Sequence, residues 1–355
     1  MRKIKFDLTD DLIQDLSRIH QRGLGDLSTL TNLPVLITGA TGFIGTWLTL
    51  SWVYSRAQIG GRGHLFLTSR HPEAIHPLIN QIDPTAPVSF IPNDIRSVEF
   101  PALMQGGLVI HAATPASAKL NAENPEEMLS TIIDGQKQVL SEVQRTCVQR
   151  VLFTSSGAVY GPQPFYVLRL DEDWQGGPNV LDRDSAYHEG KRVAELLGVV
   201  ASSANNYQFI SARLFAFMAP FMQMNAHFAA GNFIMDAVEG RDIVIKSGGG
   251  SIRSYQYATD MCTAIWGLAK RGEDRNAYNV GSEEAITIRD LARQIQQIVN
   301  PNVEVRIQGK DNSTNVSRYV PSIRRLESLL GFSNETSLNT MIRKTASWYD
   351  ASNGI

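Results

Sequence analysis

The sequence feature that most restricts the fold is a glycine-interrupted apolar stretch, VLITGATGFIGTWL, which runs from Val35 to Leu48. Its first part predicts a short buried strand, and its second part predicts the start of a helix. Gly39, Gly42 and Gly45 are spaced three apart, so the turn can adopt positive φ values and let a ligand approach the backbone. Free N–H groups at a helix N-terminus attract anions. We therefore predict a strand, turn and helix that bind the diphosphate of a dinucleotide.

Apolar runs continue to alternate with helical patterns after this turn, and an amphipathic helix at 10–21 precedes it. Strands are predicted at 64–68, 88–91, 108–111, 151–155 and 278–281, and helices at 126–145, 186–200, 260–270 and 289–299. This alternation predicts an α/β chain with a doubly wound parallel sheet, a Rossmann fold. We expect the first helix to serve packing or an oligomer contact rather than chemistry.

Composition excludes several other classes of protein. The 355 residues are 43% hydrophobic and 19% charged with a formal net charge of −2, which offers no basic patch for nucleic acid or an anionic membrane. The uncharged stretch 27–55 contains Pro34 and the motif glycines, so we predict a buried strand and helix there rather than a membrane span. The N-terminus lacks the pattern of a signal peptide, and we expect a cytoplasmic protein.

The two cysteines, Cys147 and Cys262, each lie in an apolar neighbourhood. We expect both to be buried free thiols rather than a disulfide, a metal site or a nucleophile. No metal is expected.

The second strand ends in Thr68-Ser69-Arg70. In a Rossmann fold a carboxylate at this place binds the ribose 2′-hydroxyl of NAD, whereas an arginine pairs with the 2′-phosphate of NADP. Arg70 therefore favours NADP(H), with NAD(H) as the alternative.

Three polar residues suggest hydride and proton chemistry. Ser156 ends a predicted strand in TSSGAVYG, and Tyr187 and Lys191 follow in SAYHEGKRVAE. The Tyr-x-x-x-Lys spacing places both side chains on one face of a helix, where we expect the ammonium to favour the ionised phenol. Tyr187 would then be the acid/base, and Ser156 would hold the same substrate oxygen.

Together these motifs resemble the NAD(P)-dependent epimerase/dehydratase family, extended short-chain dehydrogenases/reductases that act on nucleotide sugars. The resemblance covers roughly Pro34 to Tyr349, and the segments 113–117, 187–195, 231–234 and 253–260 look most like its UDP-glucuronate decarboxylase branch. It implies cofactor contacts from Gly39, Thr41, Gly42, Phe43, Ile44, Gly45, Ser69, Arg70, Asp94, Ile95, Ala112, Ala113, Thr114, Tyr187 and Lys191. The implied substrate contacts are Ser117, Ser156, Asn232 and Arg253, the last of which matches the family's diphosphate-binding arginine. His111 matches a position that merely lines the cofactor.

The resemblance also implies a domain plan. Residues 1–32 form an N-terminal helical extension, 33–215 the dinucleotide-binding Rossmann domain with 255–281 returning to it, and 216–254 with 282–355 a smaller C-terminal substrate-binding lobe. In the family the helix bearing Tyr-x-x-x-Lys pairs with the helix at 126–145 across a two-fold axis, so we expect a homodimer.

Two departures from the family's pattern bear on the reaction. Dehydratases place Asp-Glu directly after the catalytic hydroxyl residue and decarboxylases place Glu two positions after it, whereas this chain has Gly157 and Ala158. The family's R-x-F-N ends in Ala216 here, so an asparagine that contacts substrate is missing. Glu172 and Glu189 are the candidates for a replacement carboxylate, and Glu189 is discounted because residues two apart on a helix do not share a face.

We therefore predict a nucleotide-diphosphate-sugar epimerase or 4-ketoreductase that transfers a hydride at a sugar carbon, with C4 favoured. Two alternatives remain open. One is a 4,6-dehydratase or a UDP-glucuronate decarboxylase-like enzyme, and the other is a redox sensor that holds NADP without chemistry.

Overall fold

A computed structural model describes residues 8–114, 117–224, 228–310 and 316–353 of the chain. In chain order its strands are β1 (Val35–Thr38), β2 (Leu65–Ser69), β3 (Val88–Pro92), β4 (Leu108–His111), β5 (Arg150–Ser156), β6 (Gln208–Leu214), β7 (Ile243–Ile245), β8 (Ile252–Ser254), β9 (Ala277–Val280), β10 (Ala285–Thr287), β11 (Val305–Ile307) and β12 (Arg318–Tyr319). Its helices are α1 (Asp10–Leu30), α2 (Phe43–Ile59), α3 (His76–Ile82), α4 (Ala118–Glu123), α5 (Pro125–Arg145), α6 (Ala186–Ser203), α7 (Ala229–Val238), α8 (Ala258–Arg271), α9 (Ile288–Val299), α10 (Arg324–Leu330) and α11 (Leu338–Asn353).

A parallel sheet forms the centre of the fold. Its strand order is β3-β2-β1-β4-β5-β6-β9 among the described residues, and every pairing in it is parallel. The order runs outward in both directions from the β1–β4 pair, so this pair is the topological switch point where such sheets bind ligands beyond their carboxyl ends. The predicted Rossmann architecture is confirmed.

Apolar side chains cover both faces of this sheet, as expected when helices lie on each side. Within β1, Val35 and Ile37 pack into the core that includes α1, α2 and α8, whereas Leu36 packs into the core that includes α5 and α6. The period-two alternation of a strand thereby feeds two hydrophobic cores from one apolar run.

Helix α1 is longer than the predicted helix and is part of the main core. It extends to Leu30 rather than ending near Gln21, and Leu16, Ile19 and Leu27 are fully buried against α2 and α8. The Arg22 guanidinium pairs with the buried Asp260 carboxylate of α8. Glycines at 23 and 25 weaken helical propensity, but packing on two neighbouring helices overrides this weakness.

The C-terminal residues add a smaller lobe. Helix α7 packs against α9 and α11, and short sheets form from β10-β8-β12 and β11-β7. Strand β12 pairs in parallel with β8, which sets Tyr319 opposite Arg253. This pairing joins two segments that are far apart in the sequence and leads back toward the main sheet.

The expectation for Cys147 is wrong, because this residue is exposed, while Cys262 is buried as predicted. Helix α5 ends at Arg145, and Cys147 adopts a left-handed backbone with φ 54°, which reverses the chain and turns the thiol toward solvent. No helix within the described ranges has the length and apolar character needed to cross a lipid bilayer.

Candidate active site

The glycine turn after β1 is shaped by close backbone contacts. Gly39 has φ +67°, and a Cβ there would lie 2.6 Å from the Ala112 carbonyl oxygen. A Cβ on Gly45 would lie 2.2 Å from the Gly39 carbonyl oxygen, so that glycine lets α2 pack against the end of the strand. Both positions therefore require glycine for reasons internal to the chain.

Gly42 differs from the other two glycines, because the chain itself leaves it more room. It has φ −76°, and a Cβ there would meet the Gly39 carbonyl oxygen at 3.2 Å. Gly42 is the N-cap of α2, no side chain caps this end, and the first turn carries no acidic residue. The exposed N–H groups at Phe43 and Ile44 and the positive end of the helix dipole fit a bound diphosphate, and glycine at 42 keeps the approach clear.

The end of β4 is tied to this turn through Thr38. The Thr38 hydroxyl oxygen accepts hydrogen bonds from the Ala112 and Ala113 backbone N–H groups at 3.0 and 3.1 Å, and it lies 2.7 Å from His111 Nδ1. With its lone pairs engaged, Thr38 donates its proton to Nδ1, so the His111 ring proton is on Nε2. Burial lowers the pKa of His111 to about 3, with a further contribution from the Lys191 charge. The imidazole is a neutral structural group, as the sequence prediction had it.

The ends of β2 and β3 present the residues predicted to bind the adenosine half of the cofactor. Arg70 is exposed, and its charge acts on Asp94. Thr41 Oγ1 donates to Ser69 Oγ at 3.1 Å, which ties the glycine turn to β2. Arg96 donates to both oxygens of Asp94 at 2.8 Å and, with its hydrogen bonds, holds the pKa of that carboxyl below its usual range. An adenine amine would share Asp94 with Arg96.

Ser156 and Tyr187 meet at the carboxyl end of β5. Ser156 is 8% exposed, and its hydroxyl oxygen accepts a hydrogen bond from Ala158 N at 3.1 Å. Burial raises the pKa of Tyr187, and a hydrogen bond with Ser156 opposes that rise. The two predicted catalytic hydroxyl groups are therefore in direct contact.

Lys191 lies beneath these hydroxyl groups but contacts other atoms than predicted. Its Nζ donates to Thr154 O at 2.7 Å and to Thr114 Oγ1 at 3.0 Å, and it lies 6.0 Å from the Tyr187 ring centroid. Burial lowers the pKa of Lys191 to about 7, and Glu195 opposes this shift. The expected stabilisation of an ionised phenol by a permanently charged lysine is not what this geometry gives, because desolvation outweighs attraction for both groups.

Helix α6 is held in register by a residue that the sequence did not reveal as functional. Asn121 of α4 accepts a hydrogen bond from Tyr187 N at 2.9 Å through Oδ1 and donates to Asp184 O at 2.7 Å through Nδ2. Both bonds lie at the first turn of α6, so Asn121 fixes the origin of the Tyr187 side chain. Sequence spacing alone gave no signal for it.

A second residue missed by the sequence is Tyr319 on β12. Its hydroxyl group hydrogen-bonds with Ser156, and its ring lies 4.6 Å from the Phe215 ring. Because β12 pairs with β8, Arg253 lies beside it, and burial lowers the pKa of that guanidinium. The structure thus brings Arg253 next to the catalytic hydroxyl groups.

The other predicted substrate residues are placed less directly. Ser117 is the N-cap of α4, and its hydroxyl oxygen accepts from Leu120 N at 3.1 Å. Asn232 lies on α7, and its buried Oδ1 has no hydrogen-bond partner among the described residues. Within the small-residue run at 112–117, Pro115 and Ala116 lie outside the described residues.

The carboxylates that could replace the missing acid are engaged elsewhere. Glu172 accepts from Asn279 N at 2.8 Å and lies 3.9 Å from Arg325, and burial raises its pKa. Glu189 lies 3.5 Å from Arg192 on its own helix. Glu195 pairs with Arg213 at 2.7 Å. Each of these side chains already has a basic partner away from the Ser156 hydroxyl.

A doubly wound sheet with its glycine turn at the switch point defines a dinucleotide-binding α/β protein. Residues 35–281 match the model of the NAD dependent epimerase/dehydratase family, and the chain belongs to that family. Its members are nucleotide-sugar enzymes, so the chain is an enzyme of this class and the predicted family is confirmed.

Relatives and solved structures agree with this assignment. UDP-glucuronic acid decarboxylase 5 of Arabidopsis thaliana is 26% identical over 322 residues, covering 87% of this chain and 86% of that protein. The fold is similar to that of Thermotoga maritima UDP-glucose 4-epimerase, solved with UDP-glucose, with a TM-score of 0.76 and 18% identity over 90% of this chain and 100% of that one. It is also similar to Streptomyces venezuelae dTDP-glucose 4,6-dehydratase, solved with NAD, with a TM-score of 0.77 and 18% identity over 91% and 98% of the two chains.

Proposed function

We propose that this enzyme is a nucleotide-sugar epimerase or 4-ketoreductase that transfers a hydride at C4 of the sugar. One observation carries the proposal. Ser156 and Tyr187 share a hydrogen bond at the end of β5, while the next two positions, Gly157 and Ala158, offer no group that can move a proton. Such a site suits a redox step at a carbinol or ketone and lacks the carboxylate that elimination requires.

The glycine turn, the β2 end and Lys191 would hold the nicotinamide dinucleotide. When bound, this cofactor supplies the acceptor or donor for one hydride. Gly42 and the first turn of α2 would take its diphosphate, and the Thr114 and Lys191 pair lies between that turn and Tyr187.

Proton movement at the sugar oxygen is assigned to this chain's own side chains. Tyr187 removes the hydroxyl proton on oxidation and returns one on reduction, while Ser156 donates a hydrogen bond to the same oxygen. Lys191, whose pKa burial lowers to about 7, would exchange a proton near neutrality rather than act as a fixed charge. In the epimerase version the keto sugar turns over between two hydride steps, whereas the reductase version needs one step.

The proposed substrate is a nucleotide-diphosphate sugar. Arg253 is the proposed diphosphate ligand because its planar guanidinium suits phosphate and it lies beside Tyr319. Its present bonds, to Ile252 O at 2.8 Å and Ser317 O at 3.1 Å, leave other N–H donors of the five-donor guanidinium for a ligand. The Thermotoga epimerase was solved with UDP-glucose, which is consistent with this substrate class.

NADP is the proposed cofactor, with NAD as the alternative. The exposed Arg70 follows β2, where a 2′-phosphate would lie, and no carboxylate occupies the end of that strand. The Streptomyces dehydratase was solved with NAD, so the preference rests on Arg70 alone.

Decarboxylation is the second candidate, and the similarity to UDP-glucuronic acid decarboxylases favours it. Against it stands Ala158, which occupies the position where that branch carries its glutamate. A cofactor-binding redox sensor is the weakest candidate, because Tyr187 and Lys191 are both retained.

Product masses test the proposed reaction. The purified enzyme is incubated with UDP-, GDP-, CDP- and dTDP-sugars, with either cofactor, and the products are weighed by mass spectrometry. An isobaric product or a change of two hydrogens supports the proposal. Loss of water or of carbon dioxide would instead establish the dehydratase or decarboxylase alternative.

A homodimer through α5 and α6 is proposed as the assembly. Helix α6 exposes Val193, Leu196 and Val200, which are 37%, 62% and 58% exposed and lie at helical spacing on one side. Two-fold pairing would bury this stripe. Sedimentation should give a dimer for the wild type and a monomer for Leu196→Glu, and a monomeric wild type at micromolar concentration would refute the assembly.

A further inference from the structure

The Ser156 hydroxyl group can make a limited set of hydrogen bonds. A serine hydroxyl offers one proton and two acceptor positions. One acceptor position of Ser156 is taken by Ala158 N at 3.1 Å, and both Tyr187 and Tyr319 also hydrogen-bond with this hydroxyl. One of the two phenols must therefore fill the second acceptor position, and the other must receive the serine proton.

The surroundings of Tyr319 decide which phenol donates. Its one other hydroxyl contact among the described residues is with Leu214 O at 3.4 Å, well beyond the usual length for an O–H···O bond. Its ring is fixed against Phe215 and flanked by Arg253 on the neighbouring strand. Donation to Ser156 is therefore the better use of the Tyr319 proton.

We propose that Tyr319 is a positioning residue that fixes the direction of the Ser156 hydroxyl group. The Tyr319 proton fills the second acceptor position of Ser156, so Ser156 must point its own proton toward Tyr187 and toward the sugar oxygen that binds between them. The inference deepens the proposed function and rests on it for the reaction, although the hydrogen-bond chain exists without substrate.

This arrangement also accounts for glycine at the position after Ser156. A Cβ on Gly157 would lie 2.7 Å from Tyr319 Oη and 2.6 Å from Phe215 Cζ. The tyrosine thus occupies the space that a side chain at 157 would need. A carboxylate after Ser156 and the Tyr319 hydroxyl group are alternatives at this site.

The fixed direction suits a keto sugar in particular. A ketone oxygen can only accept hydrogen bonds, and it gains negative charge as hydride arrives, so a serine committed to donate stabilises that step. A freely rotating serine would spend part of its time pointing its proton elsewhere. The same chain, from Tyr319 through Ser156 to Tyr187, donates to an ionised Tyr187 and lowers the pKa of that phenol.

The test is Tyr319→Phe, which keeps the ring and removes the hydroxyl group. Single-turnover hydride transfer should slow by about 10-fold, the worth of one oriented hydrogen bond, while KM changes by less than about 2-fold. In a Ser156→Ala background the same substitution should have no further effect, because Tyr319 acts through Ser156. The rising limb of the pH–rate profile should also move to higher pH in Tyr319→Phe.

The matched control is Tyr207→Phe. Tyr207 is 6% exposed at the opposite edge of the sheet, and its buried hydroxyl has no hydrogen-bond partner within the described part of the chain. Its variant should transfer hydride at the wild-type rate. Wild-type behaviour of Tyr319→Phe, or an equal loss with and without Ser156, would overturn the inference.

A second readout separates this inference from the proposed function. Ultraviolet titration of the cofactor-free protein, with Tyr187→Phe as the subtracted reference, follows ionisation of Tyr187 without substrate. Tyr319→Phe should move that ionisation to higher pH, and an unchanged titration would overturn the inference even if no sugar is turned over. A wild type that transfers no hydride with any sugar would count against the proposed function alone.

Discussion

The turns that follow β1 and β5 lie at the same edge of the sheet but are built in different ways. The turn at 39–45 is shaped by its own backbone and by the adjacent strand end, where Gly39 meets Ala112. The turn at 156–161 is shaped by side chains from distant segments, since Phe215 and Tyr319 fill the space around Gly157. The cofactor side of the site is therefore a local backbone structure, whereas the substrate side is assembled by tertiary contacts.

The largest expected effect on stability separates two glycines of the first turn. Gly45→Ala places a Cβ 2.2 Å from a backbone oxygen and should cost about 3 kcal/mol of unfolding free energy. Gly42→Ala meets that oxygen at 3.2 Å and should cost less than about 1 kcal/mol while weakening dinucleotide binding. Denaturant unfolding and cofactor titration measure both, and equal destabilisation by the two variants would remove the distinction.

In the second turn the largest expected effect is on catalysis. Tyr187→Phe removes the proton-transfer group and should lower turnover at least ~100-fold, with cofactor affinity nearly unchanged. The rate is measured with the sugar that the product assay identifies, and cofactor affinity is measured by fluorescence titration. Near-normal turnover in this variant would show that Tyr187 is not the acid/base.

These predictions follow the limits of what the sequence could reveal. Strand β4 and helix α5 were predicted nearly to the residue because periodicity and caps are local signals. Tyr319 could not be predicted, because its place beside Ser156 depends on the pairing of two short strands, β8 and β12. The full length of α1 was missed for a similar reason, since packing on α2 and α8 outweighs its glycines.

Electrostatics around Lys191 were also beyond the sequence. The Tyr-x-x-x-Lys spacing correctly indicated a shared helix face, but the direction of the pKa shifts depends on burial, which no spacing reports. Cys147 shows the same limit, because an apolar neighbourhood did not indicate that the helix end turns its thiol outward.

On the cofactor side, Arg70→Ala tests the choice between dinucleotides. Loss of a charge-assisted hydrogen bond should weaken NADP(H) binding by about 1.5–3 kcal/mol and leave NAD(H) binding nearly unchanged. Calorimetric titration with both cofactors gives the two affinities. A wild type that binds NAD(H) more tightly than NADP(H) would contradict the assignment.

The smallest expected effect concerns stability and pH at Lys191. Its pKa is about 7 in the folded chain and near ~10.4 in the unfolded chain, so below pH 7 folding carries the full cost of burying the ammonium, and this cost disappears as pH rises toward the unfolded value. Lys191→Met should therefore raise the melting temperature of the cofactor-free protein at pH 6, and the gain should shrink by pH 9. A gain that does not depend on pH would mean that packing, and not charge, causes it.

The fate of deuterium at C4 tests the central claim most directly, namely that the second turn supports hydride transfer without a carboxylate acid/base. A nucleotide sugar deuterated at C4 is turned over, or the matching 4-keto sugar is reduced with cofactor that carries deuterium, and the product is analysed by mass spectrometry and NMR. The account predicts deuterium at C4 with every carbon and oxygen of the sugar retained. Deuterium at C6 with loss of water, or a product that has lost carbon dioxide, would contradict it.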